Sequence, residues 1–210
     1  MKKAKRIAIA GATGMVGQAF QNLLEKNFFP EAEIDLLASQ KSKGRSVTFR
    51  GKEHVIKDLS EYDFSYTDLA LFSAGASVSA EYAPKAVSQG CVVVDNSSCF
   101  RYDDDIALIV PEVNGDELSN YDLPSIIANP NCSTIQMLVA LKPIHEEFKI
   151  KRIDITTMQA VSGTGKEATE ELLDQLSAYQ GDNEFENNIY PKQIANNALP
   201  HCDVMDENRY

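Results

Sequence analysis

The sequence predicts an α/β fold: a doubly wound, mostly parallel sheet with helices on both faces. Two observations carry the prediction. Short apolar runs alternate with segments of helical periodicity through the first 128 residues, and a glycine-punctuated turn, Gly11 to Gly17 (GATGMVG), joins the first run to the first helix. With 43% hydrophobic residues in 210 there is material for one large core, or for one domain and part of a second.

Residues 6–10 (RIAIA) read as a buried strand by length and by the glycine that ends them. Met15, Val16, Ala19, Phe20, Leu23 and Leu24 then recur at helical spacing, closed by Asn27 and Pro30. Strands are expected over 34–38, 69–73, 91–95, 108–110 and 126–128, with a helix over 79–89 stopped by Gly90. A domain boundary is expected near 128–131. Beyond it come a helix over 132–148, a long strand over 152–161 and a helix over 166–180 with Ala168, Leu172, Leu176 and Tyr179 on one face. Residues 181–188 are polar and acidic and read as a loop, and no internal repeat is present.

A net charge of −11 argues against a nucleic-acid or anionic-membrane binder, because phosphate surfaces attract basic ones. Small anions can still be held by local donors. No apolar run approaches the ~20 residues of a spanning helix. The basic start runs directly into the glycine turn, which a signal-peptide cleavage would destroy, so a cytoplasmic protein is expected. Cys91, Cys99, Cys132 and Cys202 are scattered, which indicates neither a metal site nor a disulfide framework.

Gly11, Gly14 and Gly17 stand between strand and helix, where glycine lets main-chain amides approach a pyrophosphate at the helix N-terminus. That is the Rossmann-like arrangement; the alternative is a merely tight turn. NAD sites usually carry an acid near the end of the second strand. Asp35 lies too early for that, and the strand runs out instead into Ser39, Gln40, Lys41, Ser42 and Lys43. Hydroxyls and cations suit a 2′-phosphate, favouring NADP, against the alternative of a solvated basic loop.

Cys132 stands at an expected helix start, where helix amides and dipole favour the thiolate, and Asn129 or Asn131 could cap that helix. Such a thiolate can attack an aldehyde or acyl phosphate and hold a thioester; the alternative is a small buried residue, as Cys91 and Cys99 are expected to be. Arg101 comes after a strand end on the ligand-binding edge and could grip a phosphate. Gln159 and the turn from Ser162 to Gly165 end the second part's long strand, a place for substrate and nicotinamide contacts.

Together these segments resemble the aspartate-semialdehyde dehydrogenase family. The residues that carry the resemblance are 11–17 (GATGMVG), 71–75 (LFSAG), 92–97 (VVVDNS), Phe100 and Arg101, 110–114 (VPEVN), 129–136 (NPNCSTIQ) and 159–163 (QAVSG), with a weaker echo over 198–203. The resemblance implies reversible, NADP-dependent reduction of L-aspartyl 4-phosphate to L-aspartate 4-semialdehyde and phosphate, on the route to lysine, threonine and methionine. It implies a Rossmann-like NADP-binding domain over 1–130, followed over 131–210 by part of an α+β catalytic and dimerisation domain, and a homodimer. It gives Cys132 the role of the nucleophile, Arg101 that of the phosphate ligand, and Asn131 and Gln159 that of substrate ligands. Gly11, Thr13, Gly14, Met15, Val16, Ser39, Lys41, Ser42, Ser162 and Gly163 fall on cofactor positions, Lys41 where relatives often have arginine. Family members continue past this length with a histidine acid/base that none of His54, His145 and His201 matches. The chain therefore reads as a fragment. The rivals are an N-acetyl-glutamyl-phosphate reductase and a non-catalytic nucleotide-binding relative.

Overall fold

The computed structural model describes residues 4–26, 28–181 and 184–200. By its contacts the chain forms two compact units, residues 1–154 and 155–210.

The first unit is built on a seven-stranded parallel sheet. Its strands are β1 (Arg6–Ala10), β2 (Glu33–Ala38), β5 (Lys57–Asp58), β6 (Leu69–Phe72), β7 (Val92–Asp95), β8 (Ala107–Leu108) and β9 (Ile126–Ala128), in the order β5-β2-β1-β6-β7-β9-β8. Helix α1 (Met15–Glu25) follows β1, and α2 (Ala76–Ser88) follows β6. Short α3 (Pro111–Asn114) precedes β9, and α4 (Cys132–Phe148) follows it.

Alternation along β1 shows why the sheet is covered twice. Ala8 and Ala10 face a core containing Ala70, Phe72, Val93 and the α2 residues Ala83 and Ala86. Ile7 and Ile9 face the opposite core with Ile34, Leu36 and Leu24 of α1. A period-two strand buried on both sides needs apolar residues at every buried position, which residues 7–10 supply.

Most elements lie within a few residues of their expected places. The helix expected from 79 starts at Ala76, directly after Gly75, whose φ of 92° favours glycine. The strand expected over 108–110 is the two-residue β8, one residue earlier. An antiparallel hairpin, β3 (Ser46–Phe49) with β4 (Lys52–Val55), had no forecast; Arg50 and Gly51 turn it at φ of 52° and 69°. The expected cap residue Asn27 lies outside the described residues.

The strand expected over 152–161 is a correction. Residues 151–160 have no regular secondary structure and take no part in a ladder among the described residues, and all ten are exposed. Alternating β-branched residues supply a strand's shape, but only a neighbouring strand supplies its hydrogen bonds. None pairs with this segment among the described residues.

In the second unit, α5 (Lys166–Gln180) buries only Ala168 of the expected apolar face, and with it Glu171 and Gln175. Tyr179 is exposed and Leu172 and Leu176 are half-buried. The reason is polar. The Glu171 carboxylate accepts the main-chain N–H groups of Asn188, Ile189 and Tyr190 at 2.7, 2.6 and 3.3 Å, while Gln175 Oε1 accepts those of Ile194 and Ala195 at 2.9 and 3.1 Å. Burial alone would raise the Glu171 pKa, but the three amides outweigh it and hold it below the usual value. No described helix is long and apolar enough to cross a membrane.

Candidate active site

All strands of the sheet point one way, so the turns after β1, β6, β7 and β9 share one edge. The order reverses at β1, with β2 on one side and β6 on the other, which is where open α/β sheets bind ligands.

At that point the glycine turn is packed to contact. Gly11 has φ of 86°, and a Cβ there would lie 2.8 Å from the Ser73 backbone beyond β6. A Cβ on Gly17 would lie 2.2 Å from the Gly11 carbonyl oxygen. The amides of Gly11 and Ala12 both donate to Leu37 O at 3.0 Å, and the buried Gln21 amide donates to Ala12 O at 2.8 Å, clamping the turn from the helix side. Gly14 is the N-cap of α1, with no side-chain cap and no acid in the first turn, which Met15 and Val16 open. The first turn of α1 thus offers helix amides and dipole with no acidic side chain within it. These features fit a dinucleotide pyrophosphate.

Beside the turn lies a cavity of about 560 Å³ lined by Gly11, Thr13, Gly14, Ser39, Gln40, Ser60, Ser73 and Tyr82, among others. Its size is that of a small-molecule site. Lys41 and Ser42 lie on the single 3₁₀ turn after Ser39 but are not in that lining, and Lys41 is exposed. Lys43, the other cation of the cluster, is paired with Glu61. Asp35 is buried in mid-strand, bonded to Lys57, Tyr62 and Arg6. Burial would raise its pKa, but the bonds from Lys57 and Tyr62 prevail and hold it below the usual carboxylate range. It is a structural acid.

Further along the edge, Asn131 is the N-cap of α4, its Oδ1 accepting the Ser133 amide at 2.9 Å. The sequence left Asn129 and Asn131 both open as caps. Cys132 is the first helical residue and is exposed. Cys91 is fully buried, its thiol pushed up to about 12 by burial and then by the charge of Asp68. Cys99 is half-buried, its pKa raised by burial and then by Asp95. Arg101 donates from Nε to Asn129 O at 2.9 Å and from Nη2 to Asn96 O at 3.2 Å. Two of the guanidinium's five N–H groups are therefore committed among the described residues, and three are left for a ligand.

Gln159, Ser162 and Gly163 belong to the second unit: Gln159 in the segment without regular secondary structure, Ser162 and Gly163 in the 3₁₀ turn Val161–Gly163 that follows it, all three exposed. His54 stands edge-on to Phe49 in the hairpin, with ring centroids 5.4 Å apart, and His145 lies in the last turn of α4. His201 and Cys202 lie outside the described residues. Sequence reasoning missed Gln21, Asn96 and the Asp95 carboxylate. The available signal was that Asn96 and Asn129 each stand directly after a strand end.

The semialdehyde dehydrogenase NAD-binding domain family matches residues 6–121, and the semialdehyde dehydrogenase dimerisation domain family matches residues 141–210. The aspartate-semialdehyde dehydrogenase of Legionella pneumophila is 53% identical over 210 residues, 100% of this chain and 60% of its own. The crystal structure of Vibrio cholerae aspartate semialdehyde dehydrogenase II complexed with ASA matches with a TM-score of 0.94 and 46% identity, over 98% of this chain and 61% of that one. The Candida albicans enzyme with NADP matches with a TM-score of 0.60 and 30% identity, over 70% of this chain and 48% of its own. The chain spans about 60% of the length of its first curated relatives. With both parts matched in order, the chain belongs to the semialdehyde dehydrogenase family.

Proposed function

We propose that this chain carries the NADP site and the nucleophile for reversible conversion of L-aspartyl 4-phosphate to L-aspartate 4-semialdehyde and phosphate, on the route to lysine, threonine, methionine and diaminopimelate. One observation carries the reading: an Asn131-capped helix opens with an exposed Cys132 on the sheet edge that also bears the glycine turn and Arg101.

In the reducing direction the Cys132 thiolate attacks the acyl carbon, the bond from that carbon to the phosphate oxygen breaks, and phosphate leaves a thioester behind. Arg101, with its three uncommitted N–H groups, binds the phosphate. Asn131 spends its carbonyl oxygen on the cap, so its Nδ2 is the donor offered to the developing oxyanion. NADP, when bound in reduced form, supplies the hydride for the acyl carbon. Collapse of the resulting adduct breaks the carbon–sulfur bond, releasing the aldehyde and restoring the thiolate.

Gly11, Thr13, Gly14, Met15 and Val16 would hold the pyrophosphate, and Ser39, Lys41 and Ser42 the 2′-phosphate. Gln159 would bind substrate, and Ser162 and Gly163 the nicotinamide half. Domains over 1–130 and 131–210, a homodimer and a cytoplasmic setting belong to the same reading. The dimerisation-domain match supports the dimer. The Candida enzyme's complex with NADP supports the cofactor.

The test is NADPH formation by the chain with aspartate semialdehyde, phosphate and NADP. Phosphate-dependent formation that Cys132→Ser abolishes is the expected result. NADP binding without any Cys132-dependent chemistry would overturn it.

A further inference from the structure

β7 and β9 run parallel with Asp95 opposite Ala128, so Asn96 and Asn129 leave the sheet side by side. Their side chains join, Asn129 Nδ2 donating to Asn96 Oδ1 at 2.6 Å. The main-chain carbonyls of the same two residues accept Nη2 and Nε of Arg101. One guanidinium thus spans the ends of two strands.

The base beneath this bridge is anchored. Asn96 N donates to Phe72 O at 2.9 Å, and Asn129 N donates to Asp95 O at 2.8 Å. The fully buried Asp95 carboxylate accepts the hydroxyls of Ser79 and Ser97, both at 2.6 Å. A planar fork can satisfy two carbonyls only while their spacing is kept. Beyond the first anchoring bonds, the amide pair is what sets that spacing on the ligand side of the sheet. Asn131 and Cys132 come two and three residues after Asn129, so a displacement of the Asn129 backbone also moves the nucleophile turn.

We propose that Asn96 is a positioning residue, whose side-chain amide, through Asn129, holds the two carbonyls that aim Arg101 and so sets the phosphate-binding arginine against the Cys132 turn. The proposal rests on the roles given to Arg101 and Cys132 above.

The experiment tracks alkylation of Cys132 in the 210-residue chain by iodoacetate, in which the thiolate displaces iodide to form a carboxymethyl thioether. Peptide mass spectrometry reads the site, inorganic phosphate is the competitor, and thermal melting monitors the fold. Asn96→Leu keeps the volume but cannot accept a hydrogen bond, whereas Asn96→Asp keeps an acceptor. The phosphate concentration that halves alkylation should rise about tenfold in Asn96→Leu and stay within about twofold of wild type in Asn96→Asp. Asn129→Asp, which turns the donor into a second acceptor, should behave like Asn96→Leu and carries the test if that variant does not fold. Unchanged phosphate protection in Asn96→Leu or Asn129→Asp, or equal loss in Asn96→Asp, overturns the proposal. If phosphate fails to slow alkylation even in wild type, the phosphate role of Arg101 fails, and the positioning role falls with it.

Discussion

Two strand-to-helix turns on the same sheet edge solve opposite problems. The turn from β1 to α1 is made of glycine, is packed against the backbone beyond β6, and leaves its helix without a side-chain cap. The turn from β9 to α4 is made of asparagine and proline, caps its own helix through Asn131, and exposes a thiol at the first helical position. The first offers main-chain amides with no acid in the helix's first turn, and the second places a thiol on the surface. Their far ends differ too. Arg50 ties the end of α1 by donating to the carbonyls of Leu24, Phe28, Phe29, Pro30 and Ala32, while α4 ends on Lys149 in the left-handed region at φ of 55°. A binding turn has to be rigid throughout; a presenting turn needs only its cap and its neighbours.

The largest effect separating the turns is chemical. Cys132→Ser should lower turnover by at least about 10³-fold while leaving the melting temperature and NADP binding unchanged, read by steady-state kinetics beside a melt. A loss of NADP affinity in that variant would blur the division of labour. Next is Gly17→Ala, whose added Cβ meets fixed backbone rather than a flexible side chain. It should cost about 3 kcal/mol and lower the melting temperature by about 6–12 °C. Gly14→Ala is the contrast. Gly14 is extended and its added Cβ meets only the Gly11 carbonyl oxygen at 3.3 Å, so about 0.5 kcal/mol is expected. Equal costs in the two variants would mean that the packing of the turn is not what matters. Arg50→Ala should cost about 2 kcal/mol in a urea titration, and Arg50→Lys should rescue little because an ammonium lacks the planar fork. Asn131→Ala should cost about 1 kcal/mol through the lost cap. The smallest effect has the opposite sign: Lys149→Gly should stabilise by about 0.5 kcal/mol by relieving the left-handed backbone.

Legibility tracked how local each determinant is. Helices α4 and α5 fell where their periodicity put them, because a helix bonds within itself and α4 carries its cap in the preceding residue. The segment at 152–161 has as good a strand pattern as β1, yet lacks a ladder, because pairing depends on residues elsewhere in the chain. The β3–β4 hairpin escaped because Arg50, not an Asn-Gly pair, opens its turn, and a carbonyl cluster from a distant loop holds that arginine. At the candidate site, single motifs put forward Cys132, Arg101 and the glycines. No such motif marks Gln21 or the Asp95 carboxylate, and Asn96 is marked only by its place after a strand end, since each acts through a partner that strand register or helix packing brings near. Glu171 and Gln175 hid in plain view: polar residues on a helix read as solvent-facing until the main chain they hold is known.

The most direct test of the central claim is mass analysis of Cys132 after the chain meets aspartate semialdehyde and NADP without phosphate. The thiolate should add to the aldehyde, the former aldehyde carbon should give up its hydride to NADP, and the adduct should stall as a thioester, because the phosphate that would release it is withheld. The account predicts an adduct on Cys132 with the mass of aspartic acid less water, matched by one NADPH per adduct and discharged when phosphate is added. NADPH formed with Cys132 unmodified, or an adduct on another cysteine, would contradict it.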